Sequence, residues 1–541
     1  MYIAPNSTII LLHNCPLDKT YDHTLTFASA LAQQNYFKSL AKYTFNDQSY
    51  TRYQRGVLTI QRKAEDLYDC NYLMFQNTSF GNKWFYAFVT AIDYVNNVTS
   101  RVSFEIDVMQ TWKFDYTLGQ CFVEREHPLT DNIGDNLVPE KLELGEYICD
   151  GFSKCQSGHD TGLTASMLDP LTLMFACTFD ENFADYHGGF YSGVYSGLYF
   201  KHFDIPQELT ASAINDLVSA IDTWLQAAVG AGKPQGIVCA FVMPTCLVTS
   251  DHTGHPPRQN QFHKYKNYAN IDGYVPKNKK LFTYPYNFLY VTNYQGQSVA
   301  YPYEYFNDPD NPNECHFFLT GDVSPNPSVV LVPDDYKTNG HPNWDEKLVL
   351  TGYPQLPFST DVFKAWLANG ANGTMVNAIS TVAKYASAGA VTGAVAGAGV
   401  GAVPGAGVGT AIGIASAVFG TLATAVDKAI QPPQAHSGAG STSMVTAHML
   451  DFGFTHKHIR REFAEIIDNY FNMFGYATHR VKVPNRTSRP HWNYVKTVGC
   501  VAVGSVPADD MSKIMSIYDR GITFWKNGNE VGNYSLDNSP I

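Results

Sequence analysis

Charge is what this sequence has least of. Only 16 % of its residues are Asp, Glu, Lys or Arg, against roughly 25 % in an average soluble protein. The balance is acidic, with 37 basic and 49 acidic residues leaving −12 at pH 7. Such a chain does not grip DNA by general phosphate neutralisation, although it would let DNA slide past. Close thiolate pairs are missing too: the ten cysteines are scattered, with no Cys-x-x-Cys. That argues against the common two-thiolate zinc sites and suits a reducing cytosol, where thiols serve as small buried apolar groups. No G-x-x-x-x-G-K-[ST], H-E-x-x-H or G-x-S-x-G string occurs, so neither a phosphate loop, a zincin helix nor a nucleophile elbow is indicated. Met1-Tyr2-Ile3-Ala4 has no basic start, and Ile9–Leu12 is too short for a signal-peptide core. The expectation is synthesis in the cytoplasm.

What is abundant is apolar and aromatic. Hydrophobic residues reach 45 %, aromatics 14 %, and there are 28 prolines in 541 residues. That length corresponds to about three to four domains, and the composition suits a β-rich protein with large subunit contacts. Residues 22–42 carry apolar groups at helical spacing and predict a helix or two. Val57–Ile60, Tyr72–Phe75, Phe85–Val95, Val102–Met109 and Cys121–Glu124 read as strands joined by short turns, hence an antiparallel sheet or barrel. Residues 128–355 are rich in Pro, Gly, Asn and Tyr, with one amphipathic helix at Ala211–Val229 and long polar loops such as His252–Lys266. Asp361–Lys384 is helical in pattern. Beyond 444, helices are expected at His458–Phe474 and Ala508–Asp519, and strands near Arg480–Val483, Val495–Val503 and Ile522–Trp525. The expected organisation is 1–127, 128–355 as one or two accessory domains, 356–443, and 444–541. The fold class is mainly β with some α.

The most unusual stretch is Tyr385–Val426, 42 residues without a charge. Gly389, Gly393, Gly397, Gly401, Gly405, Gly409 and Gly413 keep a strict spacing of four, and Ala386 to Ala406 keep it in the neighbouring frame. On a helix this makes a double small-residue seam that permits close backbone approach. Ile414, Val418, Leu422 and Val426 continue as a large apolar ridge, and Pro404 divides the run into two arms. At about 1.5 Å per residue the run would reach roughly 63 Å, about two crossings of a hydrocarbon layer near 30 Å thick. Each glycine costs a helix roughly 1 kcal/mol against alanine. Three readings therefore stand: a flexible linker, a buried helix pair, or a membrane segment sheltered before use. The match of Gly397-Ala398-Gly399-Val400-Gly401-Ala402 to a dinucleotide fingerprint follows from composition alone, since no acidic residue stands about 20 positions on.

Other candidates are weaker. Asp308-Pro309-Asp310-Asn311 lacks the glycine and final glutamate of a calcium loop and reads as a turn. His252 and His255, with His263, could bind a metal, but nothing in a Pro-rich loop sets the geometry, and neither a metal nor a cofactor is expected. His456-Lys457-His458 reads as a solvated face. Glu105 with Asp107, and Glu124 with Glu126, alternate along strands and would share a face, lining a channel or pairing across subunits. No catalytic residue is assigned, and no enzyme activity is expected.

Longer strings carry a resemblance. Tyr72-Leu73-Met74-Phe75-Gln76-Asn77, Gly81-Asn82-Lys83-Trp84-Phe85-Tyr86-Ala87-Phe88-Val89-Thr90, Phe104-Glu105-Ile106-Asp107-Val108-Met109-Gln110-Thr111-Trp112 and Val123-Glu124-Arg125-Glu126-His127 closely resemble the tail knob (distal tube) family of small short-tailed phages of Gram-positive bacteria. Trp492-Asn493-Tyr494-Val495, Asp519-Arg520-Gly521-Ile522-Thr523-Phe524-Trp525 and Gly532-Asn533-Tyr534-Ser535 match as well, as does Pro432-Pro433-Gln434 after the apolar stretch. The resemblance covers 55–127 and 360–541. It implies a homohexameric β-barrel tube at the virion tail tip, built jointly by the two ends of the chain. Its partners would be lower collar or tail tube proteins, the genomic double-stranded DNA in the lumen, the host cytoplasmic membrane and, as a further candidate, the host cell wall. The apolar loops would plug the tube and later form a membrane pore. The residues alone leave other readings open: a passive tube, a receptor-binding tail protein, or a pore-forming toxin.

Overall fold

A computed structural model describes residues 6–48, 56–78, 81–156, 166–168, 170–178, 186–187, 198–206, 211–233, 236–248, 260–321, 327–338, 340–353, 355–357 and 450–540. The expected helix at 361–384 and the uncharged stretch 385–426 lie outside them. So do His252, His255 and the Pro-Pro-Gln string.

The chain forms two compact units, cut at other places than the four segments expected. The first gathers residues 1–145, 270–283 and 460–541; the second gathers 146–269 and 284–459. Residues 128–145 and 270–283, assigned above to an accessory region, thus belong with the two ends of the chain.

The first unit is built, in chain order, from β1 (Ser7–His13), β2 (His23–Leu25), α1 (Ala30–Ser39), β3 (Ala41–Gln48), β4 (Val57–Ile60), β5 (Cys70–Asn77), β6 (Trp84–Asn96), β7 (Thr99–Ile106), α2 (Val108–Thr111), β8 (Tyr116–Leu118), β9 (Cys121–Glu126), α3 (Arg461–Phe474), β10 (Tyr476–Lys482), β11 (Trp492–Val498), β12 (Ala502–Gly504), α4 (Ala508–Arg520) and β13 (Ile522–Trp525). One sheet runs β3-β1-β5-β6-β7-β4, a second β2-β13-β11-β9-β10, and a ribbon pairs β12 with β8. The run Ile9–Leu12 is explained by its place inside the first sheet. Ile10 and Leu12 enter one core and Ile9 and Leu11 another on the opposite face, so alternation disappears where both faces are covered. The larger core joins Tyr72, Met74 and Phe88 of the first sheet to Trp492, Val495, Phe524 and Trp525 of the second, with Phe37 from α1 and Ile514, Ile517 and Tyr518 from α4. Truncating Phe37, Phe88, Trp492, Phe524 or Trp525 to alanine would cost about 3–5 kcal/mol.

Residues 22–42 hold only one helix. It starts where Ser29 Oγ accepts Ala32 N–H at 3.2 Å, which satisfies one of the free donors of the first turn. The preceding residues form β2, which runs parallel to β13 with Thr24 opposite Phe524.

The described residues of the second unit form three sheets. Gly453–Ile459 lies between Tyr147–Ser153 and Asn287–Thr292, and Leu171–Cys177 lies between Tyr199–Asp204 and Ile237–Pro244. Glu314–Gly321 lies between Gln261–Tyr265 and Val329–Asp334. The expected helix is present at Ala211–Gly230, burying Ile221, Trp224 and Ala228; Trp224 packs 5.1 Å from Phe175. Two expectations fail here. His456-Lys457-His458 belongs to a strand rather than a solvated helix start, with His458 buried and Lys457 stacked 3.4 Å above the Tyr290 ring. His263 lies on a strand opposite His316, not in a loop. The Asp308 turn forms as expected, its carboxylate accepting from Asp310 N at 2.9 Å and Asn311 Nδ2 at 2.9 Å.

Candidate functional site

The four carboxylates picked as lining candidates separate in the structure. β7 ends at Ile106, and Asp107 caps α2, its Oδ1 accepting from Met109 N at 3.0 Å and Gln110 N at 3.1 Å. Its Oδ2 accepts from Tyr72 O–H at 2.8 Å, and only 1 % of the residue is exposed. Burial raises its pKa to about 6, while the two backbone N–H groups and Tyr72 pull it back. Glu126 is fully buried, paired with Lys482 and accepting from Asn485 N at 2.8 Å; burial raises its pKa too. Asp107 and Glu126 therefore face the interior of the unit and cannot line a channel. The regular alternation assumed for them is broken twice. Asp107 has left its strand. At Glu124 the ladder bulges: on β11 Arg125 faces Lys496 while Val123 faces the next residue, Thr497, and an extra residue on one strand shifts the faces.

Glu105 and Glu124 stay at the surface. Glu105 pairs with Lys513, and Glu124 Oε1 lies 2.8 Å from Lys496 Nζ. Exposed pairs of this kind contribute about 0–1 kcal/mol; each carboxylate is matched by one cation.

A second feature was not legible in the motifs. Residues 128–145 and 270–283 are sewn to the C-terminal part of the unit by buried polar groups. The Asp468 carboxylate on α3 accepts from Tyr274 O–H at 2.6 Å, Lys277 N at 2.8 Å, Asn278 N at 3.0 Å and Asn278 Nδ2 at 2.8 Å. Glu140 bridges Arg125 and Lys280, the latter at 2.8 Å; burial lowers the Lys280 pKa and Glu140 opposes that. His127 accepts from Tyr494 N through Nδ1 at 2.8 Å and faces the Asn472 carbonyl through Nε2 at 3.1 Å. That assigns the Nε2–H tautomer. Burial first, then the Arg489 charge, lowers its pKa to about 3, so the imidazole stays neutral.

A third feature was missed altogether. Phe122 stands directly between Val481 on β10 and Val498 on β11, and these side chains are 38 %, 69 % and 55 % exposed. Val501 and Val503 are exposed nearby in sequence, and Tyr94, Val95 and Val98 at the end of the β6–β7 hairpin. The aromatic run Trp84–Phe88 is mostly core: Tyr86, Ala87 and Phe88 are buried within the unit. Among the described residues no cluster of three metal-ligating side chains forms, and no helix is long and apolar enough to cross a membrane.

With this geometry in hand, comparison with known proteins decides the family. The family model described as Bacillus phage phi29, Tail knob protein gp9, C-terminal domain, matches residues 255–539, more than half of the chain. The chain belongs to that tail knob family. A second model, Caudoviral major tail protein N-terminus, matches residues 5–117. The chain is 25 % identical to tail knob protein gp9 of Bacillus phage PZA and 24 % identical to that of Bacillus phage phi29, with 99 % of each chain covered in both cases. Its fold is like that of the bacteriophage C1 tail knob protein gp12, with a TM-score of 0.57 at 16 % identity over 98 % of this chain and 99 % of the other. This is a mainly β tail knob protein, a structural component of the virion tail.

Proposed function

We propose that this tail knob protein assembles as a homohexameric conduit at the tail tip and opens the host membrane to the genome. Residues 385–426 plug the tube, leave it on infection and enter the cytoplasmic membrane as a pore. The collar or tube proteins lie behind the ring, and the cell wall and membrane in front. The observation that carries this reading is the 42-residue absence of charge, with glycine every fourth position from Gly389 to Gly413, a proline at 404 between the two halves, and Ile414, Val418, Leu422 and Val426 at the same spacing of four. Such a segment is too apolar to be left in water. It is too rich in glycine to hold a bilayer without neighbours, and six copies would supply them. The exposed row Val481–Phe122–Val498 supports subunit contact, and the salt-bridged Glu105 and Glu124 suit a bore that does not brake DNA by phosphate contacts.

A charge at a membrane helix centre costs about 2.5–3.5 kcal/mol on insertion scales, and every copy of a cooperative pore would carry it. Gly401→Asp and Val418→Lys are therefore expected to assemble and adsorb normally but to lose liposome leakage and DNA delivery. Normal delivery by either variant, or by a deletion of 385–426, would reduce the segment to a linker or plug.

A further inference from the structure

Arg489, in the segment between β10 and β11, is 1 % exposed. Its backbone N–H donates to Asn493 Oδ1 at 3.3 Å, and Asn493 Nδ2 donates to Ser488 Oγ at 2.9 Å. Ser488 Oγ donates in turn to the His127 carbonyl at 3.2 Å. This segment is therefore fastened by groups other than the guanidinium. Nε and Nη2 of Arg489 are buried and meet no acceptor among the described residues. Lys280, also buried, is treated differently: its Nζ lies 2.8 Å from Glu140 and donates to the Val138 carbonyl at 2.7 Å. The carboxylate that acts on Arg489 is Asp131. Its two oxygens already accept from Tyr476 O–H at 2.6 Å and Lys279 N at 3.2 Å, and neither bonds the guanidinium.

We infer that the Nε–Nη2 edge of Arg489 is the binding site of a single monovalent anion of halide size, enclosed within the first unit. Nε–H and one N–H of Nη2 run parallel along one edge of the planar guanidinium, the edge that grips anions with two donors at once. Buried donors without acceptors are rare in folded proteins, and those on a charged group are the most costly. A water molecule would answer the two donors and leave the charge. A bound anion answers both. The Asp131 charge limits which anion: it repels a dianion more strongly than a monoanion, so sulfate and phosphate fit poorly. At 1 % exposure the fork is also out of reach of a polymer backbone or of another subunit. The site is independent of whether residues 385–426 enter a membrane.

The test compares anions on the intact protein at constant ionic strength. A ligand that binds only the folded state lowers the unfolding equilibrium constant, by up to about tenfold for each tenfold rise in its concentration. Sodium chloride replacing sodium gluconate is expected to lower that constant severalfold in urea titrations. Arg489→Met keeps a long apolar stem without the fork and should lose this dependence on chloride. Bromide gives the direct readout. Crystals grown in sodium bromide should show an anomalous scattering peak within hydrogen-bond reach of Nε and Nη2. No chloride dependence in the unaltered protein, the same dependence in Arg489→Met, or a water without anomalous signal at the fork would overturn the site. Sulfate bound at the fork in place of bromide would overturn the monovalent assignment. Should Arg489→Met fail to fold, the chloride series on the unaltered protein and the bromide map still decide.

Discussion

Asp107 shows how much a single side chain can do once its strand has ended. A pattern of alternating acids placed it on a sheet face; the structure uses it to start a helix and to anchor Tyr72. The sequence could not reveal this, because the capping partners Met109 and Gln110 follow locally but Tyr72 comes from another strand. The sign of its pH effect follows from the raised pKa. The native state holds the proton more tightly than the unfolded chain, so this group's contribution to stability is greatest below 3.8 and falls as pH rises to about 6. Asp107→Asn keeps an acceptor for the helix N–H groups and should flatten that dependence in urea midpoints taken below and above the window. Asp107→Ala should remove the cap and cost about 1–3 kcal/mol at either pH. A wild-type slope retained by Asp107→Asn would assign it to another group.

At the level of elements, local pattern was a good guide where one neighbour decides and a poor one where several do. Val57–Ile60, Ile522–Trp525, the helix at 211–230 and α4 stand within a residue or so of where apolar spacing put them. The bulge at Glu124 escaped, because register slips depend on two partner strands. Gly475 illustrates the same dependence. It ends α3 at φ +64°, and a Cβ there would lie 2.1 Å from the Glu126 carbonyl oxygen; only hydrogen lets β9 approach so closely. Gly499 has a similar φ of +66° with nothing within 4 Å. Gly499→Ala should cost about 1 kcal/mol for its backbone conformation alone, and Gly475→Ala at least ~2 kcal/mol more. Equal unfolding midpoints for the two variants would mean that the close approach is not tight.

For the whole molecule, the family and the mainly β fold were legible at the two ends of the chain. The membership of 128–145 and 270–283 in the first unit was not, because it rests on carboxylates such as Asp468 and Glu140 that collect partners far away in sequence. Ring assembly is the prediction that belongs here. Phe122→Asp or Val498→Asp should leave the folded subunit intact, since both side chains are already exposed, and should yield monomers by native mass measurement. Rings of unchanged mass would place the contact elsewhere. The pairing of β2 with β13 has a further consequence, for the ribosome. Thr24 meets Phe524 across 500 residues of chain, and at ~5–20 residues per second that wait is roughly 25–100 s. The first sheet can close early, but the core face bearing Ile10, Tyr72 and Phe88 stays bare until β11 and β13 emerge. Nascent chains are thus unable to complete this core while still being translated, and through that interval the infected cell must keep an apolar surface from finding the same surface on the next chain of the polysome.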